Sequence, residues 1–295
     1  MVVPEPPPPD PTLTSTPPPP PPPALKIRDS PPKVPPMGPW KPNMDNPRIL
    51  SIQWGCRVSI FDEGIVRKRG NRVRPSEEAA LRIVREHTTI PVPEVYHSIW
   101  RTVDGHPYGE IFMEHIPGEP LERKWDALEP SEKERLCNEV WGFVAQLRKI
   151  PKPPELEAFY QCGADGSGSE DILLRGFKEP PQPILDDESL RKRINELYLE
   201  CNGGSYGEHL PDFLPRSDIS VFTHCDLAPK NIMVDESCNI TGLIDWETSG
   251  FYPDYWEYAS TQRQWGRRDW MHWMDKTKPQ DWDIVGIHKA SRVLF

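Results

Sequence analysis

A chain of 295 residues with a formal charge of −10 is long enough for one large domain or two small ones, and too acidic to take a nucleic-acid backbone as its partner. No apolar run is long enough to cross a bilayer, and no basic-then-apolar leader opens the chain, so the expectation is a soluble cytoplasmic protein with no membrane partner. Six widely spaced cysteines (Cys56, Cys137, Cys162, Cys201, Cys225 and Cys238) form no CxxC pair, which sets aside zinc ribbons and disulfide frameworks in favour of reduced thiols.

The elements begin late. Of the 38 prolines, 19 lie within residues 1–42, and this stretch has almost no apolar side chains to bury. It therefore reads as a disordered, polyproline-II-like tail over 1–46, balanced in charge. Its seven-proline run Pro17–Pro23 is the kind of segment that SH3, WW or profilin-type grooves take up.

From Pro47 onward, "RILSIQ", "CRVSIF" and "GIVRK" are short apolar stretches separated by Gly55 and by the acidic turn Asp62-Glu63-Gly64, which predicts antiparallel strands. "PSEEAALRIVREHTTIPVP" reads as a helix with Ser76 as its N-cap, glutamates in its first turn and Pro91 ending it. "PEVYHSIWR" and "GEIFMEHI" predict two more strands around the turn "VDGHPYG". Helices then take over. "SEKERLCNEVWGFVAQLRKI" carries a capping-box pattern at Ser131 and Glu134, and its Leu136, Val140, Phe143, Val144 and Leu147 share one face. "DESLRKRINELYLE" is a second amphipathic helix, and the "GADGSGSED" stretch between them reads as a flexible loop, since it lacks the Lys-Ser/Thr ending of a phosphate loop. Trp265, Trp270, Trp273 and Trp282 read as helix packing. Strands followed by helices predict an α+β chain with a small sheet lobe and a larger helical lobe.

The chemistry concentrates in "VFTHCDLAPKNIMVDESCNITGLIDWE", residues 221–247. Here "SVFTH", "NIMVD" and "NITGLID" predict a buried strand, a tight loop and a hairpin whose second strand ends at Asp245. Asp226 and Asn231 then lie on one loop, and Asp245 returns across the hairpin. One carboxylate to orient a hydroxyl, with an Asn and an Asp to hold Mg²⁺, is the equipment of phosphoryl transfer.

H-x-D-x-x-x-x-N, followed by a strand and Ile-Asp, resembles the catalytic segment of the protein-kinase-like superfamily. More narrowly, "THCDLAPKNIMVD…GLIDWE…GFYPDYWEYA" is similar to the aminoglycoside phosphotransferase and choline kinase group, in the branch common in fungi. The resemblance covers most of residues 48–275. It implies a bilobal protein-kinase-like fold, with an antiparallel-sheet N-lobe over 47–117 and a mostly helical C-lobe over 118–295. It also implies an ATP- and Mg²⁺-dependent transfer of phosphate to a hydroxyl of a small molecule. By position, Asp226 matches the catalytic base, Asn231 and Asp245 the magnesium ligands, and His224 a residue that holds the loop. Lys68 matches the nucleotide-phosphate lysine, and strand alternation puts it on the same face as Val66. Glu77 matches its partner on the helix, with Glu78 the adjacent alternative. Glu114 and Ile116 fall at the adenine hinge, and Gly55 in the loop over the phosphates.

This chain departs from the pattern in two places. Cys225 stands where most relatives have Gly, so a side chain is expected to crowd the acceptor pocket, and the phosphate-covering loop has a single glycine. Glu247, Trp256 and Glu257 match family positions, with no role assigned beyond structural support. The rival expectation is a nucleotide-binding pseudokinase or scaffold with a proline-rich docking tail. A protein kinase fits less well, because D-F-G and an A-P-E-like segment are missing and Ala228 stands two residues after Asp226.

Overall fold

The computed structural model describes residues 47–61, 64–176, 180–206, 209–264 and 266–294. The proline-rich tail with its expected docking partner, the turn residues Asp62 and Glu63, and Trp265 lie outside the described residues.

Five strands form one antiparallel sheet: β1 (Arg48–Gln53), β2 (Cys56–Phe61), β3 (Ile65–Gly70), β4 (Val95–Val103) and β5 (His106–Glu114), in the order β1-β2-β3-β5-β4. The β4–β5 turn is Asp104-Gly105 with φ of 50° and 78°, the paired left-handed geometry that matches strand twist in a tight hairpin. Helix α1 (Pro75–His87) connects β3 to β4. Along β3 the alternation is clear: Val66 and Lys68 are buried while Arg67 and Arg69 are half-buried on the other face.

Two helix starts differ from expectation for one reason. In α1 the N-cap is Arg74, and in α2 (Pro130–Leu147) it is Glu129, so Ser76 and Ser131 lie inside the first turn. Each serine follows a proline, and proline's fixed φ and missing N–H suit the first helical position, which moves each start upstream. The capping contact in α2 runs from the Glu129 N–H to the Glu132 carboxylate at 3.3 Å, rather than between Ser131 and Glu134. Of the expected apolar face, Leu136, Val140, Val144 and Leu147 are buried and Phe143 is half-buried. Helix α1 ends at His87, where the Thr88 hydroxyl donates to the Val84 carbonyl (2.7 Å), before Pro91 is reached.

The rest of the chain is α3 (Asp187–Glu200), α4 (Leu210–Phe213), α5 (Trp256–Thr261), α6 (Arg268–Lys276) and α7 (Val285–Leu294), with short strands among them. Strands β6 (Glu119–Pro120), β9 (Ile232–Val234) and β10 (Ile240–Leu243) make one small sheet. Strands β7 (Cys162–Gly163), β8 (Ser220–Thr223) and β11 (Gly250–Pro253) make another. Strand β10 stops at Leu243, short of Asp245, whose backbone turns left-handed at φ 67°.

The "GADGSGSED" stretch is not a free loop. Gly163 pairs with β11, Ser169 shares a hydrogen bond with the Tyr252 hydroxyl (2.6 Å), and Asp171 is buried. Among the described tryptophans, Trp270 of α6 sits edge-on to Trp125 (5.0 Å between centroids), and Trp282 stacks on Trp141 of α2 (5.9 Å). All six cysteines are free. No helix among the described residues is long and apolar enough to cross a membrane.

Candidate active site

The sheet meets the helical region through the chain that follows β5. Gly118 adopts φ 107°, and a Cβ there would meet the Val234 carbonyl oxygen at 2.2 Å. A Cβ on Gly242 would meet the Ile116 side chain at 2.8 Å, and the Leu243 N–H donates to the Pro91 carbonyl (2.9 Å). The segment around Ile116 therefore rests directly on the β9–β10 hairpin. At Glu114 the N–H is spent on the Glu94 carbonyl (2.9 Å) and the side chain accepts from the Glu94 N–H (3.2 Å). The carboxylate and amide of Glu114 thus face the sheet lobe, which leaves carbonyl and amide groups around Ile116 as the part of this segment suited to a ligand.

Lys68 is the focus of the sheet side. Only 6% exposed, its Nζ lies 2.8 Å from Glu77 Oε1, 2.6 Å from Asp245 Oδ1 and 3.5 Å from Glu247 Oε2. Burial alone would lower its pKa, but Glu77 first, then Asp245 and Glu247, outweigh burial and hold it well above the ordinary lysine range. The same ammonium keeps the Asp245 carboxyl low against its own burial. Glu78, the alternative partner, turns away to the Ser98 hydroxyl (2.5 Å) and Arg82 (2.7 Å). Glu247 also pairs with Arg72, which follows β3 and reaches back to the Trp54 carbonyl (3.5 Å). Gly55 turns beside them at φ 72°, where a Cβ would strike the Asn71 side chain at 2.3 Å. The connection that follows β3 is thereby tied into the cluster at Arg72.

On the other side, a short 3₁₀ turn, Pro229–Asn231, follows Asp226 and carries Asn231 as its last residue. Asn231 Nδ2 donates to the Asp226 carbonyl (2.8 Å) and to Asp226 Oδ2 (2.9 Å). Lys230 Nζ lies 2.7 Å from the same Oδ2, and Gln264 Nε2 donates to Oδ1 at 3.0 Å. Both donor hydrogens of Asn231 being used, its Oδ1 is the atom left for a cation.

Two hydrogen bonds around Ile244 join the loop to the turn bearing Asp245. The Ile244 N–H donates to the Asn231 carbonyl (3.0 Å), and the Ile244 carbonyl lies 3.1 Å from His224 Nε2. His224 is fully buried against Trp246, and its Nδ1 accepts from the Asp226 N–H (3.2 Å). That bond places the ring proton on Nε2, facing the Ile244 carbonyl. Burial pushes the imidazole pKa down, so His224 is a neutral clamp.

Beneath the loop lies a layer in which Glu257 and Trp256 are joined by Asp171 and Arg263, two residues that sequence reasoning missed. Glu257 Oε2 and Oε1 accept the N–H groups of His224 (2.6 Å) and Cys225 (3.1 Å). Burial pushes the Glu257 carboxyl up to about 7 despite those two donors. Asp171 pairs with Arg263 at 2.9 and 2.7 Å and accepts from Trp256 Nε1 at 3.0 Å. Burial opposes the ionisation of Asp171, but Arg263 holds its pKa below the ordinary value. Cys225 is left-handed at φ 72°, and its buried thiol hydrogen-bonds the Tyr252 hydroxyl over this layer. The expected crowding of the cleft by Cys225 is therefore corrected: the side chain points inward. Cys225 and Asp245 are two of the non-glycine residues with positive φ, a backbone region that costs about 1–3 kcal/mol per residue.

The oxygens of Asn231 and Asp245 suit magnesium, which takes few protein ligands and fills its octahedron with phosphate oxygens and water. Asp245 Oδ1 faces Lys68, so Oδ2 remains for the ion.

The architecture is that of the protein-kinase-like phosphotransferases, a small antiparallel-sheet lobe joined to a mostly helical one. It superposes on wild-type aminoglycoside 2'-phosphotransferase-IIIa in its GDP complex with a TM-score of 0.53, at 18% identity over 84% of this chain and 81% of that one. The corresponding values for aminoglycoside phosphotransferase APH(4)-Ia are 0.54, 16%, 80% and 78%. For a gentamicin complex of APH(2")-IIa they are 0.54, 16%, 83% and 80%. The model of the phosphotransferase enzyme family matches residues 67–278, and the chain belongs to that family. A search of curated proteins found no matching sequence. The family match takes in Lys68, Glu77, Glu114, Ile116, His224, Asp226, Asn231 and Asp245 and leaves Gly55 outside.

Proposed function

We propose that this protein transfers the γ-phosphate of MgATP to a hydroxyl group of a small molecule in the cytoplasm. Residues 47–117 act as the nucleotide-binding lobe, 118–295 as the catalytic and acceptor-binding lobe, and 1–46 as a separate tail. The observation that carries the reading is Lys68: a buried ammonium 2.8 Å from Glu77 and 2.6 Å from Asp245, a residue 177 positions away. A chain does not bury a lysine among three carboxylates for stability alone, because apolar side chains of similar size would serve as well or better.

In this reading Lys68 binds the nucleotide phosphates, Glu77 holds it in place, and groups around Glu114 and Ile116 take the adenine edge. The turn at Gly55 covers the phosphates. Asn231 Oδ1 and Asp245 Oδ2 hold magnesium, which supplies charge neutralisation on the phosphate oxygens. His224 fixes the loop by its two ring hydrogen bonds. Asp226 orients the acceptor hydroxyl and takes its proton as the acceptor oxygen bonds to the γ-phosphorus. The bond from that phosphorus to the β–γ bridging oxygen breaks, and ADP leaves with the electron pair. Catalysis rests on positioning and charge placement.

The nucleotide complexes among the similar folds, with GDP in one, support a nucleotide site here, and the gentamicin complex of another supports a small-molecule acceptor. The test is metabolite-extract profiling with ATP labelled in its γ-phosphate, the parent chain against Asp226→Ala. The reading expects labelled products from the parent alone, with nucleotide binding kept by the variant. Mg-dependent ATP binding by a parent that labels nothing would favour the scaffold reading.

A further inference from the structure

Among the described residues, three cations form ion pairs with Asp226, Asp245 or Glu247, and two of them lie on the sheet side. Lys68 is enclosed by Glu77, Asp245 and Glu247, and Arg72 is paired with Glu247. The third is Lys230. It rises from the turn Pro229–Asn231, between the carboxylate at Asp226 and the amide at Asn231, and its Nζ lies 2.7 Å from Asp226 Oδ2. Its side chain is 41% exposed. A pair this open is worth little and exchanges readily. Asp226 Oδ2 meanwhile keeps a second donor, Asn231 Nδ2, so it stays partnered when the ammonium leaves.

We infer that Lys230 is a γ-phosphate ligand, parked on Asp226 in the free protein and turned onto the transferring phosphoryl group when ATP is bound. This rests on the phosphotransferase reading above. A group within hydrogen-bonding distance of the residue that orients the acceptor is, by that placement, beside the point where acceptor oxygen and γ-phosphorus meet. The phosphoryl oxygens carry the charge of the transition state, and a cation with a short reach to them acts where it counts. The local backbone keeps Lys230 near that point: Pro229 fixes its own φ, and the Asn231 N–H donates to the Ala228 carbonyl at 2.9 Å. Lys68 differs. Its enclosure on the sheet side suits phosphates shared by ADP and ATP, whereas the position of Lys230 suits the γ-phosphate alone. Asp226 neutralises the ammonium before the nucleotide arrives, and the arriving hydroxyl needs a lone pair of Asp226, so transfer of Lys230 to the phosphate serves both groups.

The test compares binding of Mg-ADP and of the non-hydrolysable Mg-AMP-PNP by calorimetry, in the parent chain, Lys230→Met and Lys230→Arg. AMP-PNP binding is expected to weaken about 10- to 100-fold in Lys230→Met, the scale of one hydrogen bond to a charged group. ADP binding stays within about twofold, and Lys230→Arg restores most of the AMP-PNP affinity. Hydrolysis of ATP by water, which needs no acceptor, falls about 100-fold in Lys230→Met. A Lys230→Met variant that loses ADP and AMP-PNP equally, or loses neither, overturns this assignment and leaves the phosphotransferase reading standing. A parent chain that binds neither nucleotide overturns both.

Discussion

The two sides of the cleft are built in opposite ways. Lys68 is 6% exposed, and two of its three carboxylate partners come from residues 245 and 247, far along the chain. Asp226 has a side chain 28% exposed, and Asn231 and Lys230, two of its three side-chain partners, lie within five residues of it. The lysine side is thus a product of tertiary folding and contributes to it. The aspartate side is a local loop, preset by its own sequence and open enough to exchange partners. A site that must hold a nucleotide firmly and turn over an acceptor benefits from that division.

The contrast is easiest to break by stability measurements. Lys68→Met leaves three carboxylates around a missing cation, and breaking a buried pair in this way costs about 3–5 kcal/mol. Asp226→Ala removes a half-open, locally partnered group and is expected to cost less than about 1 kcal/mol. Urea unfolding of both variants reads the difference; equal losses would show that the two sides are not built differently.

A second measurement sharpens the account of what supports the loop. Glu257→Gln keeps the size of the side chain but has one oxygen for two backbone N–H donors, so a cost of about 1–3 kcal/mol is expected. It also carries a pH signature. The folded-state carboxyl of Glu257 is raised to about 7 from the ordinary 4.5, so folding takes up a proton there. Its contribution is full below 4.5 and is lost as pH rises through 7. The lead in Tm of the parent over Glu257→Gln should therefore shrink across that window; a lead that grew with pH would contradict the assignment. The smallest effect is expected from Arg72→Gln, whose side chain is 36% exposed. Its loss should cost below about 1 kcal/mol in the same unfolding assay.

What could be read from the sequence follows the same division. The Asp226–Asn231 loop was legible because its partners are close in sequence, and so was the buried face of β3 that carries Lys68. The sheet was legible from short apolar runs and turn residues. The cluster of Arg72 with Glu247 and the pair of Asp171 with Arg263 were not, because partners separated by 175 and 92 residues leave no local pattern. Glu257 was legible only as structural support, since nothing in "YPDYWEYA" says that a carboxylate will meet the amides of His224 and Cys225. The inward turn of Cys225 was missed because a left-handed φ at a non-glycine residue reverses where its side chain points. Ser76 and Ser131 misled for a simpler reason: serine is a good cap, but the proline before each claims the first helical position.

The most direct trial of the shared-site claim is transfer itself: γ-labelled ATP with magnesium and a metabolite extract, incubated with the parent chain and with Asp226→Ala. Converging Lys68, Asp226, Asn231 and Asp245 predict label in a small-molecule product from the parent and a loss of about 1,000-fold or more in the variant. Equal labelling by both proteins would contradict it.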